Sequence, residues 1–199
     1  GMTQASGLVK RKDIRATSDA TTVASLRQAG AIPVGVTNTS ELCMWMESAN
    51  RLYGRTSNTY DPTRIVGGSS GGEGAIVGAG GTPFGLGSDI GGSIRMPAFF
   101  NGVFGHKPSG GLVPGTGQYP MAENEARRFL STGPIARRAE DLMPIVRLLA
   151  GPDGIDTGAE EMELGDPATV SLDGMKVLSI DGNGLRNVSA DLLDAQSRA

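Results

Sequence analysis

After Val66 the chain runs GGSSGGEGAIVGAGGTPFGLGSDIGGSIR to Arg95, and eleven of its 31 glycines fall between Gly67 and Gly91. A glycine surrenders more backbone freedom on folding than any other residue, so such density suits only backbone that must bend tightly or approach another group closely. Gly-Gly-Ser turns stand at both ends, with Ser69 and Ser70 at one and Ser93 at the other. Hydroxyls held among the amides of such turns point to an acyl-transfer site. The competing reading is that the turns only permit tight packing of strands and helices.

Composition narrows the partners. The 199 residues carry a net charge of −3, with 38% hydrophobic and 20% charged residues, as in a soluble globular chain. The basic clusters Lys10-Arg11-Lys12, Arg127-Arg128 and Arg137-Arg138 are too short to mark a nucleic-acid surface and read as solvated faces. No apolar run reaches the length of a membrane span, and no signal peptide opens the chain. Cys43 is the single cysteine and lies in the apolar run Leu42-Cys43-Met44-Trp45, which suggests a buried core thiol and excludes an internal disulfide. With His106 the single histidine, no metal cluster is expected, no cofactor is implied, and the cytoplasm is the default compartment.

The order of elements is α/β grammar. Ser18-Asp19 offers an N-cap to a helix over Ala20–Ala29, with Gly30 behind it as a C-cap. Ala31–Thr37 reads as a buried strand and Asn38–Met46 as a second helix, with Leu42, Cys43, Trp45 and Met46 inward. Ala49–Arg64 is a polar, turn-rich loop. A glycine-containing helix over Ser70–Gly80 follows, then a strand over Pro83–Gly87, a turn, a short helix from Ser93 limited by Pro97, and a strand at Gly102–Gly105. Leu142, Ile145, Val146 and Leu149 give Ala139–Ala150 the clearest amphipathic period. Met175–Ile180 reads as a strand and Ala190–Ala199 as a helix. The expected fold is a mixed twisted sheet flanked by helices, one partial domain over 1–199, incomplete at both ends.

A serine hydroxyl becomes a nucleophile only when one group takes its proton and another receives the oxyanion. Consecutive amides at Asp89-Ile90-Gly91-Gly92-Ser93, before a helix, suit the second requirement. For the first, His106 is the one imidazole; the other option is a lysine relay through Ser69 or Ser70. Gly67-Gly68-Ser69-Ser70-Gly71 matches the G-x-S-x-G elbow, but Ile65-Val66 is too short for the strand that motif requires. The same run lacks the Gly-Lys-Ser/Thr ending of a phosphate loop.

The whole run, GGSSGG followed by GSDIGGSIRMPA with Ser69 and Ser93 24 positions apart, resembles the amidase signature family. The flanks agree: Asp19-Ala20 before a helix, AGAIPVGVTN over Ala29–Asn38, Glu41-Leu42, and GVFGHKPSGG over Gly102–Gly111. The likeness is strong from Asp19 to Gly111 and weaker beyond, where LSTGPIARRAEDL over Leu130–Leu142 matches best. Leu42–Trp45, Glu73 and Asp89-Ile90 look closer to the fatty acid amide hydrolase branch than to the glutamyl-tRNA amidotransferase branch.

The resemblance implies hydrolysis of lipophilic or small amides through a serine acyl-enzyme, by a Ser–cis-Ser–Lys triad. Ser93 is then the acylated nucleophile and Ser69, after a cis bond from Gly68, the relay. Ile90, Gly91, Gly92 and Ser93 form the oxyanion hole, Asp89 and Arg95 brace the turn, and Ser70 supports the relay. The family's lysine base falls before the segment that Gly1 matches, and none of Lys10, Lys12 or Lys107 takes its place. Little amide hydrolysis is therefore expected of this chain alone. The alternative is a non-catalytic amidase remnant that binds ligand or associates with itself as a homo-oligomer.

Overall fold

The computed structural model describes residues 1–185 and 187–198. The chain forms two compact units, Gly1–Leu164 and Gly165–Ala199. The first contains helices α1 (Thr21–Gln28), α2 (Gly71–Gly78), α3 (Arg95–Phe100) and α4 (Leu142–Leu149), with strands β1 (Ala49–Asn50), β2 (Gly54–Arg55), β3 (Phe84–Asp89), β4 (Phe104–Gly105) and β5 (Ser131–Ala136). The second contains α5 (Ala190–Arg198).

An antiparallel sheet in the order β3-β5-β4 organises the first unit. Its register pairs Phe84 with Ala136 and Asp89 with Ser131 on one side of β5, and Phe104 with Ala136 on the other. The central strand was not foreseen, because Gly133 and Pro134 argue against a central strand. Pro134 is accommodated by its position. A strand residue directs its N–H and C=O to the same neighbour, and the Pro134 carbonyl accepts the His106 amide at 3.0 Å, just past the end of β4. The missing donor therefore faces a side where the ladder has already stopped.

Alternation along Phe84-Gly85-Leu86-Gly87 sets the two layers. Phe84 and Leu86 pack on a core of Leu26 from α1, Leu112, Val113, and Ile145, Val146 and Leu149 from α4. On the opposite face Gly85 and Gly87 let α2 settle onto the strand: a Cβ at Gly85 would overlap the Glu73 carboxylate, and one at Gly87 would lie 2.8 Å from Ser70 Oγ. Val77, Ile94 and Ile135 fill a second buried cluster. Full burial of aliphatic side chains of this size stabilises by about 1.5–3 kcal/mol each.

Several sequence expectations are corrected. Residues 31–37 form no strand, and Ile32, Val34 and Val36 are 85%, 77% and 63% exposed. An extended segment needs a neighbour to bond its amides and carbonyls; among the described residues no strand pairs with it, and Pro33 supplies no donor. The helix expected over Asn38–Met46 shrinks to a 3-10 turn at Glu41–Cys43, because Leu42 and Cys43 adopt positive φ angles of 52° and 60°. Met44, Trp45 and Met46 are exposed rather than inward, and Cys43 is half-buried. At α1 the N-cap is Ala20, without a side-chain cap, and Asp19 instead pairs with Arg27 at 2.6 Å. The loop over Ala49–Arg64 contains the β1–β2 hairpin, whose turn is held by Asn50 Oδ1 accepting the amides of Leu52 and Tyr53.

In the second unit the 3-10 turn Pro167–Thr169 is capped by Asp166. Met175–Ile180 forms no strand, and Val177 and Leu178 are each 88% exposed. Helix α5 meets this segment through the Gln196 amide, which donates to Ser179 Oγ and the Ile180 carbonyl. Ala199, the end of the expected helix, lies outside the described residues. Among the described residues no helix is long and apolar enough to cross a membrane.

Candidate active site

The first serine turn links residues 66–70 to α2. The Gly68–Ser69 peptide is cis. Ser69 is buried, and its carbonyl accepts the hydroxyls of Thr39 and Ser48, both at 2.8 Å. Ser48, itself fully buried, also lies 3.1 Å from the Gly67 carbonyl and accepts the Gly71 amide at 2.8 Å. A Cβ at Gly68 would sit 2.7 Å from the Trp45 carbonyl oxygen and 2.8 Å from the Met46 carbonyl carbon. That close approach requires glycine. Asn101, also fully buried, donates to the Val66 and Pro97 carbonyls at 2.8 Å each and accepts the Thr59 hydroxyl at 3.0 Å.

The second turn is organised by Asp89 at the end of β3. Its fully buried carboxylate accepts the amides of Gly92 (2.6 Å), Ile94 (3.0 Å) and Arg95 (3.2 Å), and both of its oxygens accept from the Arg95 guanidinium (3.1 and 3.0 Å). Burial alone would raise the Asp89 pKa. The Arg95 guanidinium and then the three amides outweigh it and lower the pKa to about 2. Asp89 is therefore an ionised brace that folds 89–95 around itself.

The structure brings the two turns together. The Ser70 amide donates to the Ser93 carbonyl at 3.1 Å. The Ser70 hydroxyl, expected in the relay, instead faces the backbone of Ser88, at 3.3 Å from its amide and 3.5 Å from its carbonyl. Among the described residues no hydrogen bond joins the Ser69 and Ser93 hydroxyls. Of the four candidate oxyanion amides, that of Gly92 is engaged by Asp89, while those of Ile90, Gly91 and Ser93 have no acceptor among the described residues. Ile90 and Gly91 are exposed and Ser93 is half-buried, so a carbonyl oxygen from solvent can approach this edge.

Neither kind of base is engaged. Among the described residues no hydrogen bond links Lys10, Lys12 or Lys107 to either serine, and the His106 imidazole, its pKa lowered by burial, has none to Ser93. No group of three or more His, Cys, Asp or Glu side chains gathers to hold a metal among the described residues.

Sequence reasoning missed Ser48, Thr39 and Asn101 as supports of the serine turn. Thr39 lies at the start of the expected helix, whereas Ser48 and Asn101 fall between expected elements, and single polar residues there carry no periodic signal. Ser40 belongs with them: its hydroxyl both accepts the Trp45 amide and donates to the Trp45 carbonyl at 3.2 Å, fixing the segment under Gly68.

Comparison with known proteins agrees with this architecture. The chain is 52% identical over 200 residues to fatty-acid amide hydrolase 2-A of Danio rerio, covering 98% of this chain and 36% of that protein. It is 60% identical over 152 residues to fatty-acid amide hydrolase 2 of Homo sapiens, covering 76% of this chain and 29% of the human protein. The solved structure of native peptide amidase from Stenotrophomonas maltophilia superposes with a TM-score of 0.74 at 32% identity, covering 81% of this chain and 33% of that one. The chain thus spans about a third of the length of the relatives it matches. The Amidase family model matches residues 1–195. With the match extending over nearly every residue, the protein is a member of the amidase family.

Proposed function

We propose that this chain is the signature portion of an amide hydrolase that works through an acyl-enzyme on Ser93. The observation that carries the reading is the turn around Asp89: it exposes Ile90 and Gly91 beside Ser93 and leaves three of its amides without acceptors among the described residues. In the proposed reaction Ser93 Oγ forms a bond to the amide carbonyl carbon while its proton passes through the Ser69 hydroxyl to a base. The tetrahedral oxyanion is held by the amides of Ile90, Gly91 and Ser93, with Gly92 contributing if it exchanges its bond to Asp89. One such donor is worth about 3–4 kcal/mol of barrier. The proton returns to the nitrogen as the carbon–nitrogen bond breaks, the amine leaves, and water cleaves the Ser93 ester. Asp89 and Arg95 keep the turn in shape, and Ser70 holds the two turns together through its amide and its contacts to Ser88.

The terminal base is a lysine in the family resemblance, and Lys10, Lys12 and Lys107 are not bonded to the serines. We therefore expect little turnover by this chain alone. Hydrolysis of an aryl amide at a rate well above background, abolished by Ser93→Ala, would overturn that expectation. Lipophilic amides are the proposed substrate class. The names of the zebrafish and human relatives support it, as do the exposed Met44, Trp45 and Met46 on the segment packed against Gly68. The family match over 1–195 supports reading both compact units as parts of one partial amidase domain, with its signature core over 19–111. A cytoplasmic location is proposed from the single cysteine and the composition.

A second reading, a non-catalytic remnant that self-associates, is favoured by the exposed apolar segment at 31–37. Extended backbone without a partner strand, bearing apolar side chains, is a template for pairing with another copy. Sedimentation velocity separates the two: a concentration-dependent dimer lost in Val34→Lys supports self-association, and a monomer at all concentrations contradicts it.

A further inference from the structure

Ser48 stands just before β1 and is fully buried. Its hydroxyl meets three backbone groups of the first serine turn: the Gly67 carbonyl at 3.1 Å, the Ser69 carbonyl at 2.8 Å and the Gly71 amide at 2.8 Å. These groups lie on both sides of Ser69. The Thr39 hydroxyl reaches only the Ser69 carbonyl of this turn. Glycine at the start of α2 makes the approach of Ser48 possible, since a Cβ at Gly71 would lie 2.4 Å from Ser48 Oγ.

A side chain can hold a turn in place only if its own backbone is fixed. The Ser48 carbonyl accepts the Thr56 amide at 3.0 Å. The Asn38 side-chain amide donates to the Gly54 carbonyl and the Thr56 hydroxyl, while that of Asn50 donates to Asn38 Oδ1 and the Thr39 carbonyl. The β1–β2 hairpin and residues 38–39 are thereby laced into one frame. The Asn38 carbonyl extends that frame to α2 by accepting the Gly72 amide at 3.0 Å.

A hydroxyl offers one hydrogen and two lone pairs. In Ser48 the Gly71 amide occupies a lone pair, and the hydrogen goes to the Ser69 carbonyl, the nearer of the two carbonyls. With Thr39 donating as well, both lone pairs of that carbonyl are engaged. Fixing this carbonyl sets ψ of Ser69, and the backbone dihedrals in turn select the side-chain rotamer. We infer that Ser48 is the positioning residue for Ser69: by gripping the backbone on both sides of it, the Ser48 hydroxyl fixes the direction in which Ser69 Oγ points. The inference rests on the proposed reading of Ser69 as the relay to Ser93. Among the described residues Ser48 has no hydrogen bond to either serine hydroxyl, so it acts through the backbone alone.

The test is NMR of the serine-labelled 199-residue chain, reading the three-bond couplings from Ser69 Hα to its two Hβ atoms. Loss of the signals in Ser69→Ala assigns them. Wild type should show the couplings of one staggered rotamer, and Ser48→Ala should show averaged couplings. Thr21→Val, which removes a distant hydrogen bond to Asp153, controls for lost stability and should leave the couplings unchanged. A single rotamer retained in a folded Ser48→Ala, or equal averaging in Thr21→Val, would overturn the inference. If Ser48→Ala does not fold, Thr39→Ala decides: a single Ser69 rotamer there supports Ser48 as the grip, and averaging overturns it.

Fluorophosphonate labelling of Ser93 separates this inference from the reading it rests on. With Ser69 as the relay, Ser48→Ala should slow labelling about tenfold or more and add nothing in a Ser69→Ala background. An added loss in that background would overturn the inference. Labelling unchanged by Ser69→Ala would instead refute the relay, and the couplings would still decide whether Ser48 sets the geometry of Ser69.

Discussion

Asp89 and Glu73 are carboxylates on facing elements of one layer, β3 and α2, and the fold treats them in opposite ways. Asp89 is fully buried and is supplied with three backbone amides and a guanidinium, which bring its pKa to about 2. Glu73 receives one hydroxyl, and burial pushes its pKa up. The difference lies in donors rather than depth. A turn that curls around a carboxylate offers consecutive N–H groups, whereas the first-turn amides of α2 are taken by Ser48 Oγ (Gly71), the Asn38 carbonyl (Gly72) and the Ser70 carbonyl (Gly74). One acid is thereby a fixed structural charge, and the other is held by a single hydroxyl.

The largest effect that tests this contrast is Asp89→Ala. It strands three amides, two of them buried, and should cost about 3–5 kcal/mol of stability in urea unfolding; a loss below about 1 kcal/mol would mean that the turn holds its shape without the carboxylate. Asp89 also predicts an acid limb. Its native pKa lies below the ordinary 3.8, so its contribution is complete above about pH 4 and is lost as pH falls through 2, amounting to about 2 kcal/mol. Asp89→Asn should remove that limb from the pH dependence of the urea midpoint. Ser48→Ala is the next step down: it strands the Gly71 amide and removes one of two donors to the Ser69 carbonyl, for about 1–3 kcal/mol. The smallest effect should belong to Glu73→Gln. A raised carboxyl pKa means that ionisation works against the fold, so wild-type stability declines as pH rises through the native Glu73 value. The variant should be more stable than wild type at pH 8, and the gain should vanish at pH 4. A loss at pH 8 would show that the ionised carboxylate has a partner that stabilises it.

The sequence carried the elements whose signals are local. Glycine and small apolar residues marked α2, Leu142, Ile145, Val146 and Leu149 marked α4, and the Gly-Gly-Ser runs marked two turns, which the fold joins through the Ser70 amide and the Ser93 carbonyl. What it could not carry was pairing. Residues 31–37 and 175–180 have strand-like composition but no neighbouring strand among the described residues, whereas β5 contains a glycine and a proline and is central because β3 and β4 flank it. The helix expected over Asn38–Met46 failed at Leu42 and Cys43, whose positive φ angles have no glycine to announce them. Within the site, the two serine-bearing turns were legible from their glycines. The hydroxyl and amide supports, Thr39, Ser48 and Asn101, act on carbonyls distant in sequence, and the engagement of the Gly92 amide by Asp89 required coordinates to see.

The central claim is that Ser93 is the residue that becomes acylated, and peptide-resolved mass spectrometry after exposure to a fluorophosphonate tests it most directly. The predicted result is a single covalent adduct on the peptide bearing Ser93, slow to form in this chain and absent in Ser93→Ala. An adduct on Ser69 or Ser70, or labelling that persists in a folded Ser93→Ala variant, would contradict it.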